Sequence, residues 1–377
     1  MHILIAPNAF KNSLTASEAA KAIEKGLLQS KLDCSCECFP IADGGDGTGD
    51  LIIHQLKGKR ISKKVSDPFG RPITSSFGLI EEGRTAVIEM ANASGLRLLK
   101  NDVLEPLHAT TFGTGELIKY ALDEGVGRII IGLGGSATVD GGVGIVEALG
   151  GRFLNSKGIS LKDMPESLVD LSSIDFSGLD PRVKDCEITV LCDVDNKLLG
   201  EMGSAAVFGP QKGADAKSVV KLEASLSRLR DIGFKETGRD MAEVKHGGAA
   251  GGSAAGICAF LNGKLVNGAD QYLALTGFEE RLQKADLVFT GEGSIDVQTL
   301  QGKGPFAVAN KAKKMKLGVI GLAGMVPLKD NEALKHYFDV LLAIGDGPAD
   351  LADAMQRTED NLIRTAREVG DLLALMK

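Results

Sequence analysis

The sequence predicts an α/β fold: a Rossmann-like parallel-sheet domain interrupted by a second, mixed α/β domain. Three observations predict it. Apolar strand-like runs near both ends of the 377-residue chain alternate with helical patterns, the rhythm of parallel βα units. From about Lys59 the texture changes to short β-rich runs separated by turn signals, Asp67-Pro68-Phe69-Gly70 and Glu82-Gly83. After Lys284 the βα rhythm returns. These shifts place one domain at 1–62 with 285–377 and the inserted one at 63–284, with the site expected in the cleft between them.

His2–Ala6 reads as the first strand, and Thr15 with Glu18 forms a capping box for the helix that carries Ile23 and Leu27. Cys34 to Ile41 is expected as a strand with Cys34, Cys36 and Cys38 on one face. A C-x-C-x-C run without a second half does not fit zinc pairs, so these cysteines are expected to pack. Lys59–Asp67, Pro72–Ile80 and Thr85–Met90 read as antiparallel strands, Phe112–Glu124 as a helix and Arg128–Leu133 as a buried strand. Glu187–Val194 reads as a strand, with helices near Asp215–Gly233 and over Tyr272–Lys284. Strands Asp286–Thr290, Leu317–Leu322 and Asp339–Ile344 alternate with helices after Pro305 and around Asp330. A closing helix carries Leu351, Met355, Leu362, Ala366, Val369 and Leu373 at three-to-four spacing. With the two N-terminal strands this gives a five-stranded parallel sheet.

The net charge of −7 argues against nucleic acid or an anionic membrane as the main partner. No run is long and apolar enough to span a bilayer. The N-terminus shows no basic-then-apolar signal, so a cytoplasmic location is expected.

Chemistry is expected in the loops. Ala285–Pro305 runs from a strand through a glycine-rich turn with Glu292, Asp296 and Lys303, into a helix that Pro305 opens. Ligands of open α/β sheets bind at the carboxyl ends of strands, where helix N-termini offer free N–H groups. Lys11 sits in a similar loop after the first strand, and Asp43 and Asp46 stand among glycines after the second. Carboxylates in such a turn suit a hard cation or a ligand hydroxyl. Asp193 and Asp195 alternate at a strand's end, Lys212 lies in Phe208–Gly213, and His246 opens a glycine-rich stretch as a solvated loop histidine. Gly132, Gly134 and Ala137 satisfy G-x-G-x-x-G/A, which supports an NAD-dependent dehydrogenase of a small hydroxy acid. The acid that should follow about twenty residues on is missing. Glycine loops with interleaved aspartates and lysines suit phosphoryl transfer better, although neither a P-loop nor the protein-kinase set occurs.

Seven stretches in order carry a resemblance: APNAFKNSLTA (Ala6–Ala16), ADGGDGT (Ala42–Thr48), GGSATVDGG (Gly134–Gly142), CDVDN (Cys192–Asn196), FGPQKGA (Phe208–Ala214), GAAGG (Gly248–Gly252) and TGEGSIDVQTLQGK (Thr290–Lys303). The chain resembles the bacterial glycerate kinase family, type I, across essentially its whole length. Where that family usually has Asp and Gly this chain has Asn8 and Asn12, and where it commonly has Arg and Gly this chain has Ser294 and Val297. The resemblance implies ATP-dependent, Mg2+-assisted phosphorylation of D-glycerate at the 2-hydroxyl; a 3-phosphoglycerate product remains the alternative. Chemistry then suggests roles. Asp193 is the first choice for the base and Asp296 the second. Lys11 and Lys303 would hold ATP phosphates, with Ser13, Gly291, Glu292 and Gly293 beside the nucleotide. Asp43 and Asp46 would meet Mg2+ or substrate. Lys212 with Ser136 and Thr138 would take the substrate carboxylate, near Asp140, Asp195 and Asn196. A non-catalytic sugar-acid binding protein is a third reading. The expected partner is a small molecule, with no nucleic acid or membrane, and a homodimer stays open.

Overall fold

The structure, a computed structural model, describes residues 1–100, 102–193, 195–329 and 331–376. The chain forms two compact units, Met1–Asp43 with Ala269–Lys377, and Gly44–Gly268. Strands are numbered along the chain.

The first unit holds the expected five-stranded sheet, in the order β13-β12-β11-β1-β2. Its strands are β1 (His2–Ile5), β2 (Ser35–Cys38), β11 (Leu287–Ser294), β12 (Gly318–Met325) and β13 (Val340–Ala343), and every neighbouring pair is parallel. Ile3, Ile5, Phe289, Ile320 and Leu322 share a core with Ile23, Leu27, Leu362 and Ala366 from helices Ala16–Leu28 and Thr358–Leu375. Gly26 lets those helices meet, since a Cβ there would lie 2.3 Å from Ile363 O. The Thr15–Glu18 capping box is present.

Several expected boundaries differ. Cys34, Cys36 and Cys38 are only half-buried because β2 is an edge strand. The expected helix over Tyr272–Lys284 is two, Gly268–Leu275 and Phe278–Leu282, parted at Gly277 with φ 71°, a conformation natural to glycine. The closing helix likewise divides into Leu351–Gln356 and Thr358–Leu375. Asp330 lies outside the described residues; the helix after it spans Glu332–Tyr337, capped by the Asn331 side chain.

The second unit holds a mixed six-stranded sheet, in the order β10-β9-β6-β5-β4-β3. Here β3 (Lys59–Ser66), β4 (Pro72–Ile80) and β5 (Thr85–Glu89) are antiparallel neighbours, as expected. Beyond them β6 (Arg128–Gly132), β9 (Glu187–Cys192) and β10 (Lys264–Asn267) run parallel to β5. A separate antiparallel pair, β7 (Arg152–Leu154) with β8 (Ser173–Asp175), was not anticipated. Helix Thr48–Gln55 packs on this sheet: a Cβ at Gly78 of β4 would lie 2.2 Å from Ile53 Cγ1. That packing puts the unit limit at Asp43–Gly44, whereas sequence texture placed it near Ser62. No helix among the described residues is long and apolar enough to cross a membrane.

Candidate active site

In the first unit, two strand ends and their loops assemble one polar group. The Asn8 N–H donates to Gly291 O (2.8 Å), which ties the loop after β1 to β11. Asn8 Nδ2 donates to Asp43 Oδ2 at 2.7 Å. Asn12 has φ 62°, a left-handed conformation that glycine adopts freely and asparagine tolerates. That accounts for Asn where the family pattern has Gly. Lys11 is exposed, and Ser13 Oγ donates to Met355 O at 2.6 Å, holding the loop to helix Leu351–Gln356.

Gly291 has backbone close by: a Cβ there would lie 2.1 Å from Leu322 O. Gly293 beyond it is exposed. Glu292 is 7% exposed and accepts from Thr299 Oγ1 at 3.0 Å. Burial pushes its carboxyl up to about 7; Lys303, the Thr299 bond and Lys11 pull down, and Asp43 pushes up. The half-buried Asp296 accepts the Gln298 N–H at 2.8 Å and so shapes the turn before Lys303. Lys303 is the N-cap residue of helix Gly304–Lys314. Lys11, Asp43, Glu292 and Lys303 therefore share one electrostatic neighbourhood at the carboxyl ends of β1 and β11. It pairs cations with a carboxyl group that titrates near neutrality.

In the second unit, the turn Gly44–Gly47 packs against the loop after β6. A Cβ on Gly134 would lie 2.1 Å from Asp46 N, and one on Gly132 would lie 3.3 Å from the Glu89 carboxyl oxygens. The G-x-G spacing that suggested a dinucleotide loop thus makes room for the protein's own backbone and a buried acid. Asp46 Oδ1 pairs with Arg97 Nη1 at 3.4 Å, and Arg97 also donates to the Asn92 side chain.

Lys212 is 3% exposed, and its Nζ donates to Ser136 Oγ (2.9 Å) and Thr138 O (2.7 Å). Burial pushes its pKa down to about 7, opposed by Asp140. Asp140 is fully buried and accepts from Thr111 N (2.8 Å), Thr111 Oγ1 (2.7 Å), Gly142 N (3.0 Å) and Gly144 N (3.3 Å). Burial raises its pKa against those bonds. Lys212 and Asp140, both expected beside the substrate, are buried: Lys212 holds Ser136 and Thr138, and Asp140 holds Thr111 and the start of the helix that follows Gly142.

β9 ends at Cys192, so Asp193 and Asp195 lie beyond it and strand alternation does not set their directions; Val194 is outside the described residues. Asp193 is exposed. Asp195 Oδ1 pairs with His246 Nδ1 at 2.8 Å, and Asn196 Nδ2 donates to Met202 O at 3.0 Å. Thr299, Arg97 and Glu89 were not singled out from the sequence, and Asn8 entered only as a departure from the family pattern. Only Glu89 had left a signal, as the acid closing the otherwise apolar run Thr85–Glu89.

Among the described residues, no group of three or more His, Cys, Asp or Glu is arranged to hold a metal ion. Mg2+ commonly takes one or two carboxylates and completes its shell with water and phosphate oxygens. Aspartates in a glycine turn fit that habit.

Glycine turns with interleaved acids and lysines, set at the carboxyl ends of parallel strands, fit an α/β enzyme of the kinase class. The glycerate kinase family model matches residues 3–374. A glycerate kinase of Bacillus subtilis (strain 168) is 44% identical over 377 residues, covering 100% of this chain and 99% of the relative. A glycerate 2-kinase of Escherichia coli (strain K12) is 42% identical over 375 residues, covering 100% of this chain and 98% of the relative. A solved structure from Salmonella typhimurium LT2, assigned as a glycerate kinase 2, superposes with a TM-score of 0.84 at 41% identity, covering 100% of this chain and 99% of that one. The chain belongs to the glycerate kinase family.

Proposed function

We propose that this chain transfers the γ-phosphoryl group of ATP to the 2-hydroxyl of D-glycerate, giving 2-phosphoglycerate and ADP. The observation that carries the reading is the end-to-end likeness to a relative named glycerate 2-kinase. Mg-ATP as cofactor, D-glycerate as the small-molecule partner and a cytoplasmic location go with it.

Lys11 and Lys303 are assigned to the phosphates, with the N–H groups that open helix Gly304–Lys314 and the Gly291–Gly293 segment beside them. Asp43 and Asp46 are assigned to Mg2+, which when bound spreads the negative charge of the transferring group. Asn8 orients the Asp43 carboxylate. Asp193, exposed beyond β9, is assigned to take the proton of the attacking hydroxyl. A base of this kind contributes typically ~10²–10⁴-fold, which is about 3–6 kcal/mol of barrier. Ser136 and the neighbouring N–H groups are assigned to the substrate carboxylate, with Lys212 fixed behind them.

ADP release with Mg-ATP, with and without D-glycerate, followed by phosphorus NMR of the product, tests the reading. Glycerate-dependent release with 2-phosphoglycerate is expected. A 3-phosphoglycerate product would correct the position of attack and keep the kinase. No glycerate-dependent release would overturn the substrate.

A further inference from the structure

Glu89 closes β5 and is 2% exposed. Its Oε2 accepts the Gly49 N–H at 2.6 Å, in the first turn of helix Thr48–Gln55. Its Oε1 is buried and has no hydrogen-bond partner among the described residues. Two glycines make room for this carboxyl group. A Cβ on Gly49 would lie 2.8 Å from Oε2, and one on Gly132 would lie 3.3 Å from both oxygens. Gly49 follows Asp46 by three positions, and Gly132 ends β6 just before Gly134, which packs on the Gly45–Asp46 backbone.

A core selected for stability alone would place an apolar side chain here. Buried acceptors are nearly always satisfied, and one that is not calls for an explanation. Neither Gly49 nor Gly132 would need to be glycine if position 89 were small. Charge on Asp46 also bears on Glu89, as does that of Arg97, so the buried acid and the turn are coupled electrically as well as sterically.

We infer that Glu89 is a positioning residue: seated between Gly49 and Gly132, it pins the turn Gly44–Gly47 against the ends of β5 and β6 and sets where Asp46 presents its carboxylate. This rests on the assignment of Asp46 to Mg2+ given above.

Three full-length variants test it. Glu89→Gln keeps the shape and an oxygen for the Gly49 N–H, Glu89→Ala removes both, and Gly49→Ala drives a methyl group at Oε2. Deuterium exchange over residues 44–52 reads the turn, and the Mg2+ dependence of ADP release reads its consequence. Glu89→Ala and Gly49→Ala are expected to exchange at least tenfold faster there, with β5 and β6 unchanged. Their half-saturating Mg2+ should rise at least fivefold at constant KM for D-glycerate. Glu89→Gln should stay within twofold of wild type in both measurements. Unchanged exchange in Gly49→Ala or Glu89→Ala overturns the inference, as does faster exchange with unchanged Mg2+ dependence in an active enzyme. If Glu89→Gln behaves like Glu89→Ala, charge rather than seating matters, and the inference again falls. A wild type without glycerate-dependent ADP release would instead sink the functional reading, and exchange alone would then decide the seating of the turn.

Discussion

Asn8 and Asp43 meet at 2.7 Å, and an acid at position 8 would set two carboxylates at that distance. Like charges so close need a cation or a shared proton. Asn8→Asp is therefore expected to lower stability by ~1–2 kcal/mol without metal and to regain it with millimolar Mg2+, as read by thermal unfolding with and without the ion. Asp193→Asn should lower kcat at least a hundredfold with little change in KM; a loss under tenfold would remove Asp193 from the role of base. Lys212 supplies a pH test. Its folded value near 7 lies below the ordinary lysine value of 10.5, so between those values the unfolded chain binds more protons and stability rises with pH, by up to ~1.4 kcal/mol per pH unit. Lys212→Met lacks that slope. Its thermal midpoint relative to wild type should fall as pH goes from 7 to 10, and a parallel pair of curves would contradict the burial argument. The charged loops were legible in the sequence because acids and lysines punctuated by glycine bury nothing and invite a chemical explanation. Arg97 and the burial of Lys212 and Asp140 were not, since each depends on contacts with distant segments, and Glu89 showed only as an acid at the end of an apolar run.

Elements were read best where a local rule decides them. The capping box at Thr15 fixes one helix start, and Pro305 opens another in the first positions of Gly304–Lys314. The turn Asp67–Gly70 separates β3 from β4, closed by Asp67 accepting from Phe69 and Arg71. Lys264–Asn267 and the β7–β8 pair are too short for alternation to register, and their pairing is settled by the sheet they join. Gly277 and Arg357 broke helices that hydrophobic spacing had run together. Two glycines separate packing from chemistry. Gly26→Ala forces a methyl group to 2.3 Å from Ile363 O and should destabilise by about 1–3 kcal/mol in urea unfolding, with kcat/KM unchanged. Gly134→Ala meets backbone at Asp46 at 2.1 Å and should lower both stability and kcat/KM. Equal activity in Gly134→Ala would show that the turn tolerates displacement.

For the molecule as a whole, the alternation of strands and helices was enough to give the five-stranded parallel sheet and the interruption within it. The limits of the insertion were not legible, because helix Thr48–Gln55 looks like a continuation of the first βα rhythm until its packing on β4 and β5 is seen. We propose that the two units are two domains, the second inserted into the first. The second has a core of its own, built on Ile88, Ile129, Ile131, Val190, Leu222 and Leu226. A fragment of residues 44–268 is expected to unfold cooperatively in urea, and a fragment ending at residue 268 should leave its first 43 residues unprotected in hydrogen exchange. The order β13-β12-β11-β1-β2 also imposes a timetable on synthesis. β1 lies between β2 and β11, and β11 leaves the ribosome only after the whole second unit has been translated. At roughly 5–20 residues per second the first strands wait about 10–50 s for their neighbour. Until then β1 has only β2 and helix Ala16–Leu28 for partners, and its other edge stands open to any strand that reaches it first.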